Sequence, residues 1–97
     1  MTETGVSGFF CATHQDAQGR EHGHTYEVRA WFPAGRDALE VQRHLNTALR
    51  VFDHKRLPAG LESGEALCGA LANNLRGVTE IEISRPSERI FARWRAA

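Results

Sequence analysis

The stretch His22-Gly23-His24-Thr25-Tyr26-Glu27-Val28-Arg29-Ala30-Trp31-Phe32 alternates with a period of two. His22, His24, Tyr26, Val28, Ala30 and Phe32 share one parity, while Glu27 and Arg29 take the other, as in a strand with one face against a core. Trp31 interrupts the polar side and suits a subunit contact. Before it, Ser7 to Thr13 reads as another strand, with Gly8, Phe10, Ala12 and His14 of one parity. Gln15 to Glu21 is polar, contains Gly19, and has the composition of a turn. A hairpin over these two strands brings His14, His22 and His24 to one face.

Downstream, Pro33 to Arg36 is a turn, and Asp37 followed by Glu40 has the spacing of a capping box. Val41, Leu45, Ala48, Leu49 and Phe52 then recur at a helical period to about Asp53. Lys55 to Leu61 contains Pro58 and Gly60 and reads as a loop. Ser63 is placed to cap a second helix carrying Leu67, Cys68, Leu71, Ala72 and Leu75, with Gly77 as its stop. Val78 to Arg85 and Arg89 to Arg95 read as the last two strands. The order ββααββ predicts an α+β domain over 1–97, an antiparallel four-stranded sheet with two helices on one face. Aromatic residues left on the other face, and strands at the sheet edges, favour assembly.

Composition narrows the function. Twelve Lys and Arg balance twelve Asp and Glu in 97 residues, so the concentrated positive field of a nucleic-acid binder is not expected. No apolar run approaches the roughly 20 residues needed to span a bilayer, and the first residues lack the basic and apolar regions of a signal peptide. Two cysteines, Cys11 and Cys68, make no disulfide framework. The expectation is a cytoplasmic protein with reduced thiols, binding neither nucleic acid nor membrane.

Three neutral imidazoles on one hairpin suit a zinc ion with one position open. From spacing alone, the three histidines read either as such ligands or as ordinary strand histidines. Gly23 between two of them would allow a close backbone approach. Asp53-His54, at the end of the first helix, reads either as an oriented acid–base pair or as an exposed helix terminus.

Phe10-x-Ala12-x-His14, His22-Gly23-His24-x-Tyr26 and Asp53-His54-x-x-Leu57 together resemble the 6-pyruvoyl-tetrahydropterin synthase family, which includes 6-carboxytetrahydropterin synthases. The resemblance implies the tunnelling fold, a catalytic Zn2+ on His14, His22 and His24, and a small-molecule substrate of the dihydropterin type. It implies a homo-oligomer built through continuous sheets, commonly a hexamer. The reaction implied is side-chain elimination or retro-aldol cleavage, with Asp53 and His54 as the catalytic pair. Ser63 and Glu65 match residues opening the second helix beside the substrate pocket.

Two positions depart from that pattern. The family's cysteine, four residues before the His-Gly-His run, is Gln18 here, which supplies no thiolate; Glu21 and Asp16 are the nearby acidic candidates for a catalytic role, although Glu21 directly precedes His22. Cys11 has the opposite parity from His14. The family's pterin-anchoring glutamate is Arg85, which has donors only and suits an anionic substrate instead. The alternatives to a pterin lyase are therefore a zinc protein of the same fold with an anionic substrate, and a non-catalytic zinc-binding member.

Overall fold

A computed structural model describes all 97 residues. Two thirteen-residue strands, β1 (Glu3–Gln15) and β2 (Glu21–Pro33), form its long antiparallel hairpin. The period-two alternation sets the register: His14 stands opposite His22, Ala12 opposite His24 and Phe10 opposite Tyr26. Both strands are longer than their apolar cores because pairing runs out to Glu3 and Pro33. Asp16 closes the turn, its side chain accepting the backbone N–H groups of Gln18 and Arg20.

Helix α1 (Ala38–Leu49) starts where expected. The Asp37 carboxylate accepts the N–H groups of Leu39 and Glu40, satisfying donors the first turn leaves open. It ends at Leu49 rather than near Asp53. Phe52 and Asp53 donate their N–H groups back to Leu49 in tight turns, which keeps Phe52 buried while the chain leaves the helix axis.

The segment read as a loop then supplies an element of its own, β3 (Lys55–Arg56), pairing parallel to β1 at Ala12 and Thr13. Two polar residues carry no hydrophobic period, so no strand signal was available there. Helix α2 (Gly64–Ala72) is capped by Ser63, whose Oγ accepts the Ala66 N–H. It stops at Asn73, ahead of Gly77, and Gly77 takes a positive φ in the following turn. Strands β4 (Glu80–Arg85) and β5 (Ile90–Arg95) form the second antiparallel hairpin across a short 3-10 turn, Pro86–Glu88. Arg89 is left-handed (φ 59), so the last strand begins one residue later than its sequence pattern suggested.

The sheet is therefore five-stranded and mixed, ordered β3-β1-β2-β4-β5, instead of four-stranded and purely antiparallel. The architecture remains α+β. Phe10, Tyr26, Val28, Phe32 and Ile81 bury against Val41, Leu45, Leu67 and Leu71 of the helices. Gly8 lies beneath α1, where a Cβ would meet Leu49 Cδ1 at 2.9 Å. At the start of α2, a Cβ on Gly64 would meet Ala92 Cβ at 2.8 Å. Both glycines permit close packing of a helix on the sheet. No helix is long and apolar enough to cross a membrane.

The opposite sheet face carries Glu27, Arg29, Glu80, Glu82, Arg93 and Arg95; Arg93 and Arg95 pair across strands with Glu80 and Glu82, and Arg29 pairs with Glu27 along β2. Phe9 and Phe91 end a row running Phe9, Glu27, Ser84, Phe91 across four strands. Both are exposed, at 64% and 70%.

Candidate functional site

The hairpin brings His14, His22 and His24 together at its turn end. Ring centroids are 4.8 Å apart for His14 and His24, 6.3 Å for His14 and His22, and 6.4 Å for His22 and His24. Each ring has one nitrogen within reach of an oxygen. His14 Nδ1 lies 3.2 Å from the Gln15 carbonyl, His24 Nδ1 is 3.0 Å from Glu88 Oε1, and His22 Nε2 is 2.8 Å from Asp16 Oδ2. Such outer contacts set which nitrogen of a ligating histidine remains free.

The free Nε2 atoms of His14 and His24 face one another at 2.9 Å. Nitrogens sharing a tetrahedral zinc with bonds of about 2.0–2.1 Å stand roughly 3.3 Å apart, so a small outward movement accommodates an ion between this pair. His22 leaves Nδ1 free and is turned toward Asp16. In these side-chain positions no three His, Cys, Asp or Glu groups converge as a metal cluster. Imidazole nitrogens suit zinc as a donor type, but the rings are not arranged as a metal site: His22 faces Asp16, and the Nε2 atoms of His14 and His24 face each other and Arg85.

Electrostatics favour neutral imidazole at His24. Burial holds its pKa below the ordinary histidine value, and the neighbouring Arg85 guanidinium pushes the same way. The Arg20 amide, followed by His22, holds the Asp16 carboxyl below its usual range.

Arg85, at the end of β4, points into this cluster. Its Nη1 is 3.2 Å from His24 Nε2 and 3.4 Å from His14 Nε2, and its Nε is 3.1 Å from Glu88 Oε1. Glu88 thus touches both His24 and Arg85. Nothing in the hydropathy pattern distinguished it, because its position depends on the turn after β4.

Arg85 also joins Ser63, Glu65 and Tyr26 along a cleft of about 230 Å³ at the start of α2. The Tyr26 ring stacks on Phe10 with centroids 4.7 Å apart. Its hydroxyl is buried and makes no hydrogen bond of good geometry, with the Arg85 guanidinium close by; burial raises its pKa, and Arg85 acts in the opposite sense.

A second group forms on the other side of β1. Asp53 Oδ1 accepts the Cys11 N–H at 2.9 Å, and His54 donates its backbone N–H to the Cys11 carbonyl at 2.6 Å. His54 Nδ1 lies 3.0 Å from Asp53 Oδ2, which leaves Nε2 available. His54 adopts a left-handed φ of 57, a conformation uncommon for a non-glycine residue, held here by these contacts. The Cys11 amide and then His54 keep the Asp53 carboxyl below its usual pKa.

His54, Lys55, Arg56, Cys11 and Thr13 border an open cleft of about 400 Å³, which His24 of the trio also lines. Glu21 reaches Thr13 Oγ1 at 3.2 Å and Arg56 Nε at 3.7 Å, beside this cleft. Gly23 borders it too; a Cβ there would meet only Thr13 Cγ2 at an ordinary 3.7 Å, so the structure requires no glycine for backbone approach. Within one chain no hydrogen bond or ion pair joins Asp53 or His54 to the three-histidine group.

No protein-family model matches the sequence, and no curated protein matches it significantly. Among solved structures, 6-pyruvoyl tetrahydropterin synthase of Caenorhabditis elegans superposes with a TM-score of 0.79 over 99% of this chain and 96% of that chain. Identity is only 14%. The likeness therefore lies in the architecture: the mixed five-stranded sheet and two helices of this chain are structurally similar to the fold of that synthase.

Proposed function

We propose that this chain is a divergent zinc-dependent lyase acting on a dihydropterin-type substrate, by side-chain elimination or retro-aldol cleavage. The observation carrying this reading is the hairpin trio, in which each histidine has one ring nitrogen against an oxygen acceptor, while the Nε2 atoms of His14 and His24 are turned on each other and on Arg85. His14 and His24 would hold zinc through Nε2, and His22 through Nδ1. When bound, the metal supplies Lewis-acid polarisation of a substrate oxygen.

The protein residues divide the remaining work. His54 moves a proton at Nε2, while Asp53 receives its Nδ1–H and keeps the ring oriented. Ser63, Glu65 and Arg85 bind substrate along the inner cleft. Glu21 contributes acidic character beside the His54 cleft by holding Arg56. Asp53-His54 has no hydrogen bond or ion pair to the trio, although His54 and His24 line one open cleft, and this supports a site completed between copies of a homo-oligomer, a hexamer being favoured. The open edge of β5, the shortness of β3, which pairs with β1 only at Ala12 and Thr13, and the exposed Phe9 and Phe91 support that assembly. The protein is placed in the cytoplasm, with both thiols reduced.

The contact between Arg85 and the two histidines favours a second reading, a zinc protein of the same fold whose substrate is anionic rather than a pterin. The deciding experiment is metal analysis of the purified protein, followed by incubation with dihydroneopterin triphosphate and chromatography of the products. Zinc together with cleavage that His54→Ala abolishes supports the lyase. Zinc without turnover moves the reading to the anionic substrate or to a non-catalytic binder. Failure to take up zinc overturns all three.

A further inference from the structure

Cys11 is the residue around which the Asp53-His54 group is assembled. Its amide donates to Asp53 Oδ1 at 2.9 Å, and its carbonyl accepts the His54 N–H at 2.6 Å. The parallel pairs that follow, Ala12 with Lys55 and Thr13 with Arg56, continue from this contact. The parity that takes Cys11 off the face of His14 sets it opposite Thr25, whose Oγ1 lies 3.5 Å from Sγ. Cys11 and His54 border the same open cleft, and the thiol is exposed, so a reactant reaches it without any opening of the fold.

The surroundings suit a reacting thiol. His54 Nδ1 stands 3.0 Å from Asp53 Oδ2, which keeps the ring proton on that side and offers Nε2 as a base. A thiol beside a base that a third group orients is the arrangement that activates a nucleophile. The Thr25 hydroxyl is placed to donate to the sulfur once its proton has left. No residue bordering the cleft is acidic, whereas Lys55 and Arg56 are basic, and Arg56 has only a 3.7 Å contact with Glu21 at the rim. Neighbouring cations favour the thiolate and draw anionic reactants toward it.

We propose that Cys11 is a nucleophile activated by His54, and that Lys55 and Arg56 select small anionic carbon electrophiles for it. Sγ gives its proton to His54 Nε2, and a sulfur lone pair forms the bond to the electrophilic carbon. The leaving group departs with the electron pair of the bond that breaks. This activation rests on Asp53-His54 as an oriented acid–base pair, and it needs neither zinc nor a dihydropterin.

The test compares iodoacetamide with iodoacetate, which differ in charge but lose the same iodide. Both are applied to the full-length protein near pH 7, and mass spectrometry follows the Cys11 peptide. The urea-unfolded chain gives the reactivity of the same thiol without its neighbours. Native Cys11 should react with iodoacetamide about tenfold faster than in the unfolded chain, because the thiolate is the reacting form. His54→Gln should remove that gain. His54→Asn, which tolerates the left-handed backbone at this position, serves if the glutamine variant fails to fold. The rate with iodoacetate relative to iodoacetamide should be higher in the native protein than in the unfolded chain. Combining Lys55→Gln with Arg56→Gln should return that ratio to the unfolded value. Native alkylation no faster than in the unfolded chain, or a gain that survives the loss of His54, overturns the activation. An equal ratio in the native and unfolded protein overturns the selection of anions. Either result leaves the lyase reading to its own assay, and His54-dependent alkylation in a protein that cleaves no dihydropterin upholds the nucleophile while that reading fails.

Discussion

Asp53 and Cys11, 42 residues apart in sequence, are joined by a 2.9 Å hydrogen bond from the Cys11 amide to Asp53 Oδ1. This bond ties the exit of α1 to the middle of β1. It leaves the second carboxylate oxygen for His54, so one side chain secures the fold locally and orients the imidazole.

Acid should therefore weaken the protein through Asp53. Its folded pKa is held below the unfolded value, so the stabilisation is fully present above about pH 4 and disappears as pH falls through the depressed folded value. Denaturant melts from pH 6 to pH 3 should show this loss. Asp53→Asn should be less stable than wild type at pH 6, with the difference narrowing toward pH 3. A difference independent of pH would contradict the assignment.

Glu88 is a positioning residue for His24 and Arg85. Glu88→Gln should weaken zinc affinity about tenfold or more, in line with the 10–100-fold effects of removing outer contacts to metal ligands. Chelator competition measures it. A cobalt spectrum altered in the variant would separate a change at the ligands from general destabilisation, which circular dichroism would register instead.

The Tyr26 hydroxyl makes no hydrogen bond of good geometry, Arg85 being its one nearby polar neighbour, and a buried polar group so poorly paired is costly. Tyr26→Phe should consequently leave stability unchanged or raise it by about 1 kcal/mol, since the stacked ring on Phe10 is retained. Urea melts decide the sign. A loss above about 1 kcal/mol would mean that the hydroxyl is satisfied in solution.

The two thiols should differ sharply in reactivity. Cys11 is exposed, whereas Cys68 is buried and burial raises its pKa to about 11. Because the thiolate is the nucleophile, iodoacetamide near pH 8 should label Cys11 alone in the native protein and both residues after denaturation. Mass spectrometry of the labelled peptides checks this.

Much of the architecture was legible because periodicity acts locally. The parity of β2, the Asp37 and Ser63 caps and the helical stripes each depend on a few consecutive residues, and all appear in place. The paired register of His14 and His22 followed from strand parity and a short polar turn. Elements defined by distant partners were hidden. Lys55–Arg56 becomes a strand only because β1 offers an edge, and Phe52 remains buried after α1 has ended. At the site, opposite parity separated Cys11 from His14. Its backbone contacts with Asp53 and His54, however, required the return of the chain after α1. The joint contact of Glu88 with His24 and Arg85 likewise required the β4–β5 turn.

The hairpin also implies an order of assembly. His14, His22 and His24 share one contiguous segment closed by a five-residue turn, and hairpins of this kind form in about 1–10 μs. Asp53 and His54 reach β1 only after α1 docks, across a separation of 42 residues that carries a larger loop-closure cost. Loop-closure cost therefore favours gathering the imidazole cluster before the Asp-His pair, and an opening confined to the α1 exit would part the Asp-His pair from β1 without breaking the β1–β2 register.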